Sequence, residues 1–189
     1  MVRILLGCLM ILSLGTSCKK DSTGCNNSPW YQDGVRLAFK NDRQLIGVDS
    51  IRVFVKKITR NKVRSMSDVG FSEPEGYLEI CGGKMYKASS EKFNDSQLLY
   101  DLNGNIGDKW TVETTQEASG RKVVNLVTLK EKSVPVTVPY GTFNTTIFEM
   151  ETRLDGSFYQ SAKVYITDDH GPVKLDGTIA YYELGKRNF

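Results

Sequence analysis

The sequence predicts an all-β domain, an antiparallel meander of hairpins that forms a partly closed barrel or two packed sheets. Two observations carry this reading. From residue 35 onward apolar and polar side chains alternate with a period of two, and no window of about twelve residues keeps the apolar stripe of an amphipathic helix. Turn dipeptides containing glycine separate the alternating runs, as hairpin connections require.

Taken along the chain, Ile51, Val53 and Val55 share one strand face. Tyr77 to Cys81 and Lys84 to Lys87 flank Gly82 and Gly83, which tolerate positive φ and so make a tight hairpin. Ser90 to Leu99 is the one helix candidate. Thr111 to Thr115 and Val123 to Lys130 surround Ser119 and Gly120. Phe143 to Leu154 and Ser157 to Thr167 surround Asp155 and Gly156, and Pro172 to Leu175 and Thr178 to Leu184 surround Asp176 and Gly177. Pro135 and Pro139 bracket Val136 and Val138, so that strand lacks two amide donors and belongs at an edge or a bulged corner.

The N-terminus reads as a targeting segment. Arg3 precedes an apolar run from Ile4 to Leu14, too short to span a bilayer of roughly 30 Å as a helix and suited to a secretion signal. Gly15, Thr16 and Ser17 then lead into Cys18, the arrangement of a bacterial lipobox, in which small residues admit the peptidase and the thiol takes the lipid. The expected organisation is residues 1–17 as lipoprotein signal peptide, 18–34 as lipidated cysteine and flexible tether, and 35–189 as one β-rich domain. In an exported chain disulfides persist, and with Cys18 acylated the remaining candidates are Cys25 and Cys81. Their bridge closes a loop of roughly 57 residues and stabilises the domain by about 4 kcal/mol in the chain-entropy description; two unpaired thiols are the alternative.

Composition excludes several classes. With 189 residues, 25 Lys plus Arg against 22 Asp plus Glu, and the two signs interleaved along the chain, nothing marks a nucleic-acid surface. The single His, His170, excludes a His-rich metal site, and no Cys-x-x-Cys offers a zinc ribbon or a redox dithiol. A Ser, His and acid triad depends on that one loop residue beside Asp168 and Asp169. Glu149 and Glu151 lie on one strand face, but Phe148 and Met150 occupy the other, which turns the acids toward water instead of making a glycosidase pair. Asp101, Asn103, Asn105 and Asp108 mimic a calcium loop, yet Ile106 stands where such a loop needs glycine, so an Asx-rich turn is preferred and Trp110 is expected to plug the core.

Three short motifs carry a resemblance. Leu98, Leu99, Tyr100 and Asp101 followed by Gly107, Asp108 and Trp110 look like an "LLYDF…GDxW" stretch. Val136, Val138, Pro139, Gly141, Thr142 and Phe143 look like "VxVPxGTF", and Gly171 with Val173 and Lys174 like "GxVK". In this order they resemble exported lipoproteins of Bacteroidota type whose function is unassigned, with departures at Tyr140 and His170. The resemblance implies a compact exported β-rich domain and carries over no catalytic residue.

The expected function is therefore non-enzymatic. A lipid-anchored envelope protein, on the outer membrane, acts as a binding or scaffolding module with no cofactor and no metal. Its partners are the membrane, through the N-terminal lipid, and a glycan, lipid or envelope protein, not nucleic acid. Phe158 with Tyr159 and Tyr181 with Tyr182 are adjacent aromatics in strands, so one of each pair faces outward; Tyr159 and Tyr182 are the ligand-binding candidates. A hydrolase acting on envelope polymers and a carrier of a hydrophobic ligand are the alternatives. The basic run Lys56, Lys57, Arg60, Lys62 and Arg64 suits anionic lipid or polysaccharide, or else a charged edge that discourages strand addition.

Overall fold

The computed structural model describes residues 32–40, 50–67, 76–115, 119–179 and 181–188. Among them there is no helix, and twelve strands form one antiparallel sheet. They are β1 (Arg36–Lys40), β2 (Ser50–Lys57), β3 (Lys62–Ser67), β4 (Gly76–Cys81), β5 (Lys84–Ala88), β6 (Gln97–Asp101), β7 (Lys109–Thr115), β8 (Lys122–Val138), β9 (Gly141–Leu154), β10 (Ser157–Thr167), β11 (Gly171–Gly177) and β12 (Tyr181–Arg187). Consecutive strands pair in meander order, and β1 also pairs with β12. The sheet thus curls into a nearly closed barrel whose one unsealed seam lies between β6 and β7.

Side chains take over at that seam. The Gln97 amide donates to Glu113 O at 2.6 Å and accepts from Glu113 N at 2.8 Å, reproducing the two bonds of a strand bridge. Trp110 Nε1 donates to Leu99 O at 3.1 Å. The half-buried Trp110 therefore both packs against the core and fastens the edges, and together with Gln97 it withdraws three otherwise open strand groups, Leu99 O and Glu113 N and O, from partner chains.

The period-two pattern is realised inside the barrel. Leu37, Val53, Leu78, Leu99, Val127, Phe148, Val164 and Leu184 are buried inward residues of eight different strands. Tyr100 reaches past β7 and β8 to touch β9: its ring lies 5.0 Å from that of Phe148 and its hydroxyl 3.9 Å from Met150 Sδ. Trp110 meets the same Phe148 ring edge-on at 6.1 Å. These contacts draw the walls together beside the seam.

Turns follow local chemistry in most places. Gly82 and Gly83 both adopt positive φ between β4 and β5, as do Asp155 and Gly156 between β9 and β10. The Asp155 carboxylate accepts from Arg121 Nε and Lys122 N, both at 2.9 Å, tying that turn to the start of β8. The prolines sit where β8 has lost β7: register shifts fall between Leu129 and Val134, and beyond them β8 pairs with β9 alone.

Three expectations are corrected. Residues 90–99 are not helical; Ser89 to Ser96 form a turn-rich loop and β6 begins at Gln97, because Phe93 takes φ of 55° and buries its ring edge-on against Tyr77 outside the barrel. Asp176 and Gly177 are not the β11–β12 turn but the end of β11, since Asp176 pairs with Tyr181 and Thr178 N extends the ladder to Ser161 O. The basic run at 56–64 is no edge: β2 and β3 each have strands on both sides.

Candidate functional site

The β9–β10 hairpin ends in an apolar tip. Phe158 is opposite Arg153, and the register then slips so that Gln160 faces Thr152, leaving Tyr159 as the extra residue of a bulge. Alternation breaks there, and both aromatics stay exposed, Phe158 at 62% and Tyr159 at 43%. Arg153 in turn opposes Val124, which places Phe158, Val124 and the 44% exposed Leu126 on one outer face. Arg153 and Glu151 lie among them and bond to each other at 2.8 Å. Sequence reasoning singled out Tyr159 and passed over Phe158, because a bulge leaves no period-two signal.

Tyr182 corrects the other half of that expectation. It is 5% exposed, inside the barrel beside Leu184 in the alternation of β12, and burial pushes its phenol up. The outward member is Tyr181, whose hydroxyl donates to Glu183 Oε1 at 2.5 Å. Lys174 Nζ reaches the same oxygen at 2.9 Å and lies over the Tyr165 and Tyr181 rings. Burial works against the Lys174 charge, but the bonds to Glu183 and Tyr181 outweigh it and hold the ammonium above its ordinary range. Burial first, and the Glu183 bond second, also raise the Tyr181 phenol. This satisfied cluster is a strand-to-strand clamp with no free acid or base to offer a substrate.

His170 packs against aromatic rings at the β10–β11 turn. Its ring lies 4.9 Å from Phe143 and 5.9 Å from Tyr140, which stacks on Phe143. Its backbone N donates to Thr167 Oγ1 at 2.9 Å, closing the β10–β11 turn, while the buried Nδ1 has no partner among the described residues. Burial, and then the Arg187 charge, hold its pKa below the ordinary 6.5, with Asp169 opposing. As pH falls through about 6.5 the unfolded chain takes up this proton before the folded one, so stability falls with pH in that window and is flat above it. A melting series from about pH 7.5 to 5.5 is expected to show that loss, and His170→Phe, which keeps the aromatic packing, to remove its His170 component. Equal slopes in both proteins would exclude this origin.

The remaining sequence candidates settle into structural positions. Glu149 and Glu151 face outward, bonded to Lys130 at 2.8 Å and Arg153, while Phe148 and Met150 are fully buried behind them. The Asp101 to Asp108 segment is an Asx turn: Asn103 N donates to Asp101 Oδ1, Asn105 N to Asp108 Oδ2, and Asn103 Nδ2 to Gly82 O. Among the described residues no three or more His, Cys, Asp or Glu side chains gather where a metal could be shared. Cys18 and Cys25 lie outside the described residues. Cys81, at the end of β4, is disulfide-bonded, with its partner also outside them.

The charges that interleave along the sequence separate in space. On the outer face of β7 to β9, Lys122 pairs with Glu113, Lys130 with Glu149 and Arg153 with Glu151. On the outer face of β1 to β3, cations predominate: Arg36, Lys40, Lys56 and Arg64 are exposed there, and the described residues give them no acidic partner. The basic run at 56–64 supplies Lys56 and Arg64, and cross-strand register adds Arg36 and Lys40, which the sequence alone does not place beside them. No family model matches the chain, and no curated protein or solved structure is significantly similar to it.

Proposed function

We propose that this protein is a non-enzymatic binding or scaffolding module of the cell envelope, held by a lipid on Cys18 and docking an envelope protein through the tip of its β9–β10 hairpin. The observation that carries the reading is the paired exposure of Phe158 and Tyr159 at the bulge, with Leu126 on the same outer face two strands away. Large aromatics projecting together are the anchors of protein interfaces. A sugar needs polar partners next to the stacking ring, and here the adjacent Arg153 and Glu151 satisfy each other. Docking on the outside also suits a barrel whose interior is crossed by Tyr100, Phe148 and Met150, in preference to carriage of a hydrophobic ligand within. The resemblance to exported lipoproteins and the lipobox-like run ending at Cys18 support the location.

Native extraction of the membrane-bound protein, followed by sizing, tests the docking tip. The wild-type protein and His170→Ala are expected to elute together with a protein partner. A Phe158→Ser, Tyr159→Ser double variant is expected to lose at least about thirtyfold in affinity while keeping its melting temperature, since even one aromatic anchor contributes about 2 kcal/mol and both rings are exposed. A complex indifferent to the double substitution overturns the docking site, and turnover of a peptide, ester or glycan that disappears with His170→Ala overturns the non-enzymatic reading.

A further inference from the structure

We infer that the outer face of β12, β1, β2 and β3 is a docking surface for an anionic phospholipid bilayer. Cross-strand register assembles it. Ala38 stands between Lys186 and Arg52, Arg36 is opposite Phe54 with Met66 one strand beyond, and Lys56 is opposite Arg64 with Tyr77 one strand beyond. Lys40 and Lys62 extend the same face at opposite ends. Among the described residues its acid, Glu183, is engaged by Lys174 and Tyr181, and Glu79 on the adjoining β4 is engaged by the Asn61 amide at 3.1 Å. Lys62 and Arg64 sit over the rings of Phe93 and Tyr77, at 4.6 and 5.5 Å, which orders them without neutralising them. A net charge of +3 for the whole chain thus conceals a strongly positive sheet face beside one on which cations and acids are matched.

A bilayer fits this face better than a single anionic ligand. The cations are spread over four strands around half-buried Phe54 and Met66 on the outside of the barrel, which matches a plane of headgroups better than one point of charge. The route of the chain points the same way. Gly34 N bonds to Val55 O and Lys57 N to Asp33 Oδ1, so residues 32–35 enter the barrel at the Lys56–Lys57 end of this face. An acyl chain on Cys18, within about 50 Å of extended chain, would deliver that end to the membrane. This last step rests on the lipid-anchor reading; the charge pattern does not.

The test uses the full chain carrying Cys18→Ser, which has no acyl group, sedimented with vesicles of phosphatidylcholine alone or with about 30% phosphatidylglycerol. Binding is expected only to the anionic vesicles and is expected to vanish at about 0.5 M salt. Neutralising Arg36, Lys40 and Lys56 together to Gln is expected to weaken it on the order of a hundredfold, about fivefold per cation. A control triple of Arg121→Gln, Lys122→Gln and Lys130→Gln, with the same change in net charge on the matched side, is expected to stay within a few-fold of the parent. No preference for anionic vesicles, salt-resistant binding, or equal losses in the two triples overturns the proposal. If the first triple melts early, Arg36→Gln with Lys56→Gln replaces it. Intact mass of the unmutated membrane-extracted protein reads Cys18 separately, so an absent lipid removes the tether argument and leaves the vesicles to decide the face.

Discussion

Phe148→Ala is expected to lower the unfolding free energy by about 3–5 kcal/mol, the largest loss from any single truncation of this core. Phe148 is fully buried in β9 and receives both the Tyr100 ring, at 5.0 Å, and the edge of Trp110, at 6.1 Å. Its removal strips two aromatic partners at once, and the cavity opens beside the seam, where β6 and β7 are joined by the Gln97 amide and the Trp110 indole instead of a ladder. A wall held by side chains has less backbone to hold its position around a void, so the upper part of the range is expected. Domains of this kind are stable by about 5–15 kcal/mol in total, so the variant retains only a fraction of its margin. Urea titration of the variant beside Ile106→Ala, which truncates a 64% exposed side chain and should stay within about 0.5 kcal/mol, measures the difference. A loss below about 1 kcal/mol would mean that the contacts joining Tyr100, Trp110 and Phe148 do not hold the seam.

The same region shows what a sequence can and cannot disclose. Tight turns announce themselves in Gly82–Gly83 and Asp155–Gly156 because positive φ restricts the residue type at those positions, and both are hairpin turns in the fold. Asp176–Gly177 has the same local chemistry, but pairing of Asp176 with Tyr181 and Lys163, and of Gly177 with Ala162, keeps both residues in the ladder. Period two identifies strands but not the phase of each, so Tyr181 and Tyr182 were interchangeable until Leu184 and Glu183 fixed which side of β12 is the core. The β6 residues Leu98, Leu99 and Tyr100 are consecutive and apolar, with no alternation to separate a short strand from a helix turn. The candidate surfaces were the least legible. One depends on a bulge that exposes Phe158 as well as Tyr159, which has no local signature; of the other, the basic run at 56–64 displays one part, while Arg36, Lys40 and Lys186 join it only through the register of β1 with β2 and β12.

Cys81→Ser is expected to cost about 2–5 kcal/mol, and reducing agent is expected to cost the wild-type protein a similar amount while leaving the variant unchanged. Cys81 closes β4 immediately before the Gly82–Gly83 turn, and its strand neighbour across that turn, Lys84, is bound to Asp101 of β6 at 3.0 Å. A covalent tie at this point therefore fastens the chain preceding β1 to the half of the sheet that ends at the open edge. In the unfolded chain the same tie removes conformational freedom from every residue between its ends, and a loop of roughly 57 residues, as for a Cys25 partner, corresponds to about 4 kcal/mol. We propose Cys25 as that partner, with Cys18 reserved for lipid. Cys25→Ser should then match Cys81→Ser, and the double substitution should be no worse than either single one, because the two changes remove one bond. Cys18→Ser should leave the melting temperature of the detergent-extracted protein unchanged. If Cys25→Ser is silent while Cys18→Ser reproduces the loss, Cys18 is the bridging cysteine and its thiol is not available for acylation, so the bond that steadies β4 would also decide against the membrane anchor.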